Sequence, residues 1–563
     1  MLQKFNLCIA FMLCAGLVLS QDLEKLSKKT DKLFTKYITP GKPGGAVVVI
    51  KDGKVVHKNA YGLGDYENKV PLTTNSVFDI ASVSKQFAGY AVALLEKEGK
   101  LSLEDDVRKY IPEFPDFGHT VTVGHLLFHQ SGLRDWPATM KLAGVGYEDV
   151  LTFEQILSMA YQQEALNFTP GSRHLYSNTG YNVLVEVIQR ITGQPFREWT
   201  TEKIFQPLGM QNTFFRDQHD EAIANSVKSY FKKSDKMYRD EANLSFSTNG
   251  LTAMGSSSLQ TTIDDFALWL QYLDSEEARE LVELMQVPGE LTTGEPASYA
   301  YGLEIDRYQG MKRVSHDGGW ASFNTYMAYF PEQHFSVAVF LNHRNWVYGF
   351  GQEVVKIYLE DEFKEVEDEP SFYNENEPKL AQDLSLDLSR YTGIFYLEKY
   401  LSYLHIFEEE GQLYVQATDE DKQPMQPVTA TRFWVEAYES SIYYNEGADG
   451  NMESVTYHKS LCPKREAMQA KDLRNLSIYK GHFYSSELNT TYQVLLEEGE
   501  LKLSNLRNGQ ISLEQVWKDG FMSDTGYAPR VDFQRNEDGE VISFAVSQYR
   551  SRNQVFRKLD IGD

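Results

Sequence analysis

The stretch GGAVVVIKDGKVVHKNAYG, residues 44–62, is two apolar runs about an Asp52-Gly53 turn and predicts a β-hairpin. Its counterpart lies far downstream, where FNTYMAYF (323–330) and FSVAVFLN (335–342) are joined by PEQH. Between them, 82–98, 122–129, 152–163, 180–193 and 262–273 carry helical patterns. Strands at both ends with helices between predict an antiparallel sheet whose first and last strands meet, flanked by helices: an α+β fold.

A chain of 563 residues exceeds one ordinary core, so about two to four domains are expected. Residues 21–365 read as the α+β unit, and an acidic, proline-containing stretch at 366–387 reads as a linker. The C-terminal part of the chain repeats itself. YTGIFY at 391–396 returns as YKGHFY at 479–484, and EEGQL at 409–413 as EEGEL at 497–501, both at an offset of 88. Asp449-Gly450 recurs as Asp538-Gly539 at an offset of 89. Constant register argues for two copies of one β module, 388–470 and 471–563, each a sandwich or small barrel.

The net charge of −25 argues against nucleic acid or an anionic membrane as partner. Lys4 followed by the apolar run Leu7–Leu19 and then Ser20 reads as a secretory leader, residues 1–20, cut after Ser20. No later run of about 18 apolar residues suggests a membrane span. The expected location is therefore periplasmic or secreted. Removing the leader takes away Cys8 and Cys14 and leaves Cys462, which can form neither an internal disulfide nor a cysteine-based zinc site. We read it as a structural thiol among connecting residues, and expect no metal site and no cofactor.

Ser-x-x-Lys occurs at Ser82/Lys85, Ser229/Lys232 and Ser477/Lys480, so the pattern alone is unspecific. The second lies in a polar stretch and the third leads into a strand, and both suit a solvated surface. Only Ser82/Lys85 opens an apolar helix, where positions i and i+3 share a face and Lys85 Nζ can reach Ser82 Oγ. First-turn N–H groups there can stabilise an oxyanion, and a desolvated lysine can accept the serine proton. Tyr176-Ser177-Asn178, in a loop before a helix, would present a phenol and a carboxamide together, although Tyr-x-Asn is common in loops. His316-Asp317-Gly318-Gly319 reads either as a glycine-rich turn into a hairpin or as a strand edge that a substrate backbone can approach. His129, on the apolar side of a helix end, reads as a hydrogen-bonded core histidine.

In combination, the order Ser-x-x-Lys, Tyr-x-Asn, His-x-Gly resembles the serine β-lactamase/penicillin-binding-protein superfamily. It is closest to the class C-like branch of esterases, D-aminopeptidases and related serine hydrolases. VFDIASVSKQF, LLFHQSGL, PGSRHLYSNTGYNVL, FQPLGMQNT, GSSSLQTTIDDFALWL and SHDGGWASF extend the resemblance over about 45–345. It implies a β-lactamase/transpeptidase-like domain followed by two all-β barrel-like modules, which look like the lipocalin-like domains of some exported members.

The resemblance further implies Ser82 as acyl-enzyme nucleophile, Lys85 as general base and Tyr176 as proton relay. Asn178 would contact a substrate amide, and His316, Gly318 and Gly319 would line the substrate and oxyanion strand. His316 stands where penicillin-recognising members carry a lysine. A histidine of pKa ~6.5 is mostly neutral at pH 7 and so offers no permanent cation to a substrate carboxylate. That favours esters, amino-acid amides or peptides over β-lactams. A β-lactamase and a non-catalytic peptide or cell-wall sensor stand as alternatives, as does a lipid- or glycan-binding role for the β modules.

Overall fold

Strand β1 (Gly45–Lys51) is buried along nearly its whole length because both faces of its sheet are covered. Successive side chains of a strand point to opposite faces. Ala46, Val48 and Ile50 accordingly join a core with Phe87 and Trp269, while Val47 and Val49 join another with Phe34, Val354 and Leu359. The first face lies under helices that include α2 (Lys85–Lys97), α3 (Asn178–Thr192) and α4 (Ile263–Leu273). The second is covered by the helix α1 over 22–37 and by α5 (Val347–Leu359). The computed structural model describes residues 22–232, 244–344, 347–364, 378–381, 384, 386–418, 420–448, 450–458, 460–466 and 475–560. The leader at 1–20 lies outside these, as does most of the acidic stretch 366–387.

The remaining strands of this sheet are β2 (Lys54–Tyr61), β3 (Tyr299–Ala300), β4 (Leu303–Tyr308), β5 (Met311–Trp320), β6 (Phe323–Phe330) and β7 (Phe335–Leu341). Their order is β3-β4-β5-β6-β7-β1-β2, antiparallel throughout. The ends of the domain meet as expected, β1 pairing with β7 from Gly45↔Leu341 to Lys51↔Phe335. Helix boundaries follow local chemistry. Thr262 caps α4 by accepting from Asp265 N at 3.0 Å, and Gly193 ends α3 with φ of 67°.

Two sequence-based placements are corrected. Ser229 is buried in the strand Ser229–Lys232, not on a solvated surface, and a strand sends positions i and i+3 to opposite faces. His316 to Gly319 lie inside β5 and form no turn. Ser477 and Lys480 are exposed, as expected.

The chain divides into two units, Met1–Trp136 with Gly146–Glu365, and Pro137–Val145 with Val366–Asp563. In the second unit the first β module is a nearly closed nine-stranded sheet. The second is a closed eight-stranded barrel, completed where Gly481–Ser485 pairs with Ser551–Lys558. Strands Gly393–Leu397, Ser402–Glu409 and Gln412–Ala417 recur 88 residues later as Gly481–Ser485, Thr490–Glu497 and Glu500–Asn505. The sequence repeat is thus a repeat of strand positions.

Within this unit the segment 137–145 packs on the barrel. Leu142 is buried among barrel residues such as Tyr492 and Phe556, its carbonyl accepts from Tyr492 Oη at 2.9 Å, and the Lys141 carbonyl accepts from Asn508 Nδ2 at 2.8 Å. Cys462 is buried in the strand Ser460–Arg465, not among connecting residues, and burial pushes its thiol up to about 11. It is a core side chain. Among the described residues no helix is long and apolar enough to cross a membrane.

Candidate active site

The segment preceding α2 does not begin as an α-helix. Ala81–Ser84 form a 3₁₀ turn, with Ala81 at φ of 47°, and the α-helix starts at Lys85. A left-handed alanine is costly and persists only where its surroundings hold it. Asp79 does so: its carboxylate accepts from Ala81 N at 2.9 Å, Asn249 Nδ2 at 2.9 Å and Gln260 Nε2 at 3.1 Å. Burial pushes the Asp79 carboxyl pKa up, and these donors oppose the shift. Ser84 Oγ accepts from Leu259 N at 3.2 Å, and Thr325 Oγ1 donates to the Ile80 carbonyl at 2.7 Å. Ser82 is left partly exposed at the centre of this braced turn.

Lys85 is fully buried. Its Nζ lies 3.2 Å from Ser82 Oγ, 2.7 Å from Asn178 Oδ1 and 2.6 Å from the Ser256 carbonyl oxygen. The last two oxygens can only accept, so they take two N–H groups. The third direction points at Ser82, whose hydroxyl can accept from an ammonium or donate to the lone pair of a neutral amine. The arrangement can therefore move a proton between Ser82 and Lys85 without moving a heavy atom.

Asn178 opens α3, and Ser177 caps it by accepting from Gly180 N at 3.4 Å. Asp135 Oδ1 accepts from both Asn178 N at 2.7 Å and Asn178 Nδ2 at 2.9 Å, which turns the amide oxygen toward Lys85. Both ends of this carboxamide are thus engaged inside the protein. The Tyr176 ring centroid lies 4.9 Å from Lys85 Nζ. His129, at 1% exposure, packs against Tyr176 with centroids 4.2 Å apart and ring planes tilted by 37°, and accepts from Ser177 N at its Nδ1, 3.1 Å away. It holds the Tyr176–Asn178 segment and behaves as the bonded core histidine that its setting suggests.

The pairing of β4 with β5 ends at Glu304↔Ser315, so His316 to Trp320 run past β4 and pass the turn at Ser82. Gly318 makes this passage possible. A Cβ there would lie 2.6 Å from the Ile80 carbonyl oxygen and 3.0 Å from Ser82 N, whereas a Cβ at Gly319 would meet nothing within 4 Å. His316 is buried, with Nδ1 2.5 Å from the Asp317 carbonyl and Nε2 2.8 Å from Tyr299 Oη. A carbonyl only accepts, so Nδ1 carries the proton and Nε2 of the neutral ring accepts from the Tyr299 hydroxyl. Burial, reinforced by the nearby Lys85 charge, lowers the His316 pKa to about 4. Burial also raises the Tyr299 phenol well above its ordinary value.

The structure thus brings Ser82, Lys85, Tyr176, Asn178, His316 and Gly318 around one point, with Gly319 facing open space beside them. Sequence reasoning did not single out Asp79, Asp135, Ser256, Tyr299 or Thr325. Asp79 lies within VFDIASVSKQF and Ser256 within GSSSLQTTIDDFALWL, and Asp135 two residues beyond LLFHQSGL, but Tyr299 and Thr325 carry no local signal. Among the described residues no group of three His, Cys, Asp or Glu side chains could hold a metal ion.

The Beta-lactamase family profile matches residues 30–353. Penicillin-binding protein 4* of Bacillus subtilis (strain 168) is 27% identical over 440 residues, covering 76% of this chain and 95% of that protein. A D-aminopeptidase of Brucella anthropi is 30% identical over 284 residues, which is 49% of this chain and 52% of the relative, about half its length. The octameric penicillin-binding protein homologue from Pyrococcus abyssi shares the fold at a TM-score of 0.52 and 22% identity, over 87% of this chain and 99% of that one. Family match and site geometry agree: the chain belongs to the Beta-lactamase family and is a serine hydrolase.

Proposed function

We propose that the protein is an exported hydrolase that cleaves esters or amino-acid amides and peptides through an acyl-enzyme on Ser82. The observation that carries the reading is the wholly buried Lys85, whose Nζ lies 3.2 Å from Ser82 Oγ and also donates to Asn178 Oδ1 and the Ser256 carbonyl. In its neutral form Lys85 takes the Ser82 proton as Oγ attacks the carbonyl carbon. The backbone N–H groups of Ser82 and Gly319 receive the oxyanion. Lys85 and Tyr176 share the transfer of that proton to the leaving group. Water, deprotonated by the same pair, then releases the acid and regenerates Ser82. Asn178 positions Lys85, and its Nδ2 faces Asp135 instead of offering both ends to a substrate amide.

The substrate class follows from His316. A buried neutral imidazole that accepts from Tyr299 presents no permanent cation for a carboxylate such as that of a penicillin. Esters and amides without that carboxylate are therefore favoured over β-lactams. The D-aminopeptidase relatives support amides of D-amino acids within this class. The apolar run at 7–19 supports export. The test is labelling with a fluorophosphonate alongside turnover of p-nitrophenyl esters, D- and L-aminoacyl amides and a chromogenic cephalosporin. Labelling and ester or D-amide turnover are expected, both lost in Ser82→Ala. Wild-type labelling in Ser82→Ala, or cephalosporin as the best substrate of the panel, would overturn the proposal.

A further inference from the structure

The second unit holds a cavity of about 190 Å³ lined by Tyr396, Glu398, Arg465, Arg530, Ser547 and Arg552 among others. It sits in the seam between the two β modules. Tyr396 and Arg465 come from strands of the first, Gly393–Leu397 and Ser460–Arg465. Arg530 and Arg552 come from strands of the second, Arg530–Arg535 and Ser551–Lys558. Three arginines line one small cavity, and two of them, Arg530 and Arg552, are only 7% and 6% exposed.

Two of these cations have carboxylate partners. Arg530 Nε lies 2.5 Å from Asp532 Oδ2, and Arg552 pairs with Glu398. Among the described residues no carboxylate lies within ion-pair distance of Arg465, and its Nε, like that of Arg530, is buried without a hydrogen-bond partner. Arg465 instead shares two aromatic rings with Arg530. The guanidinium carbons of Arg465 and Arg530 lie 5.1 and 3.8 Å from the Tyr396 centroid, and 5.8 and 5.4 Å from that of Trp517. Ring faces attract cations, but two cations on the same rings repel each other. Burial, with Arg530 adding to it, pushes the Arg465 pKa down from its ordinary value, and Asp532 and Glu398 act the other way.

A half-buried cation without a carboxylate, held beside a second one, is unfavourable unless a counter-charge enters. Of the three arginines, Arg465 is the one that no carboxylate joins in an ion pair among the described residues. Guanidinium forks match carboxylate and phosphate oxygens in two-point contacts. We propose that this cavity is a binding site for a compact monoanionic oxyanion, a carboxylate or phosphate group, held by Arg465 together with Arg530 and Arg552. Because the arginines belong to both modules, the anion binds only their paired arrangement and so stabilises it by mass action.

The test uses the full-length protein in a chloride-balanced zwitterionic buffer, titrated calorimetrically with inorganic phosphate and separately with acetate, with thermal unfolding followed in parallel. Saturable binding of either anion, with a raised unfolding temperature, is expected, and the preferred anion identifies the source of the oxyanion. Arg465→Gln should weaken binding by about tenfold or more. Without added anion it should unfold no earlier than wild type, because the unpaired cation is gone. No saturable heat up to about 10 mM of either anion would overturn the proposal, as would unchanged affinity in Arg465→Gln. The wild-type titration decides the matter even if the variant folds poorly.

Discussion

Replacing Gly318 by alanine places a methyl group in the contact between β5 and the turn that presents Ser82. Its Cβ would lie 2.4 Å from Thr325 Oγ1, 2.6 Å from the Ile80 carbonyl oxygen and 3.0 Å from Ser82 N, where ordinary contact begins at 3.4 Å. Thr325 can swing away only by giving up its 2.7 Å bond to that carbonyl. The carbonyl cannot turn, because the Asp79 carboxylate anchors Ala81 N at 2.9 Å in the same turn. Strand and turn must therefore separate by about 0.5–1 Å, and the proposed pair of oxyanion donors, Ser82 N–H and Gly319 N–H, widens with them. A misplacement of that size costs on the order of 10–100-fold in kcat/KM, with a loss of about 1–3 kcal/mol in stability from overpacking. Gly319→Ala is the matched control. Its methyl meets nothing within 4 Å, so stability should hold while KM rises for bulky substrates that need the open space. Steady-state hydrolysis of p-nitrophenyl esters, the rate of fluorophosphonate labelling and thermal unfolding together read out both variants. Wild-type kcat/KM in Gly318→Ala would refute the steric argument, and so would an equal loss of kcat in Gly319→Ala.

His316 gives a pH signature. Its pKa is about 4 when folded and ~6.5 when unfolded, so between these values the unfolded chain binds a proton that the folded site refuses. Stability is therefore full above about pH 6.5 and falls as pH drops toward 4, by up to about 3 kcal/mol. Urea unfolding across this range should show that loss, and His316→Gln should flatten it; an equal loss in the variant would remove His316 as its source. Leu142→Ala should destabilise the second unit by about 2–5 kcal/mol, because Leu142 is fully buried in the barrel core. Hydrogen exchange in Gly481–Ser485 and Thr490–Glu497 measures this, and unchanged protection there would contradict the packing described.

Much of the framework was legible because it rests on local chemistry. Alternating apolar runs about Asp52-Gly53 and PEQH mark hairpins wherever they occur, and the 88-residue register of the C-terminal half became a register of strands. The candidate site was legible in part. Ser-x-x-Lys could not by itself separate Ser82 from Ser229, since only the secondary structure decides whether the two positions share a face. The segment WPATMKL carried no sign that Leu142 belongs to a barrel core built almost entirely from residues more than 300 positions later.

By itself the sequence determined the periodicities: which runs become strands, where helices start, and that a serine and a lysine stand one turn apart before an apolar helix. It also determined that no lysine stands at 316. Only the tertiary structure decided what those groups experience. Asn178 and the Ser256 carbonyl, from separate parts of the chain, accept from the Lys85 amine that lies against Ser82. Tyr299 and the Lys85 charge, together with burial, make His316 a neutral acceptor. The physical reason is that hydrogen-bond direction and desolvation depend on all the atoms within a few ångströms, most of them distant in sequence. Propensity and spacing, in contrast, are written residue by residue along the chain.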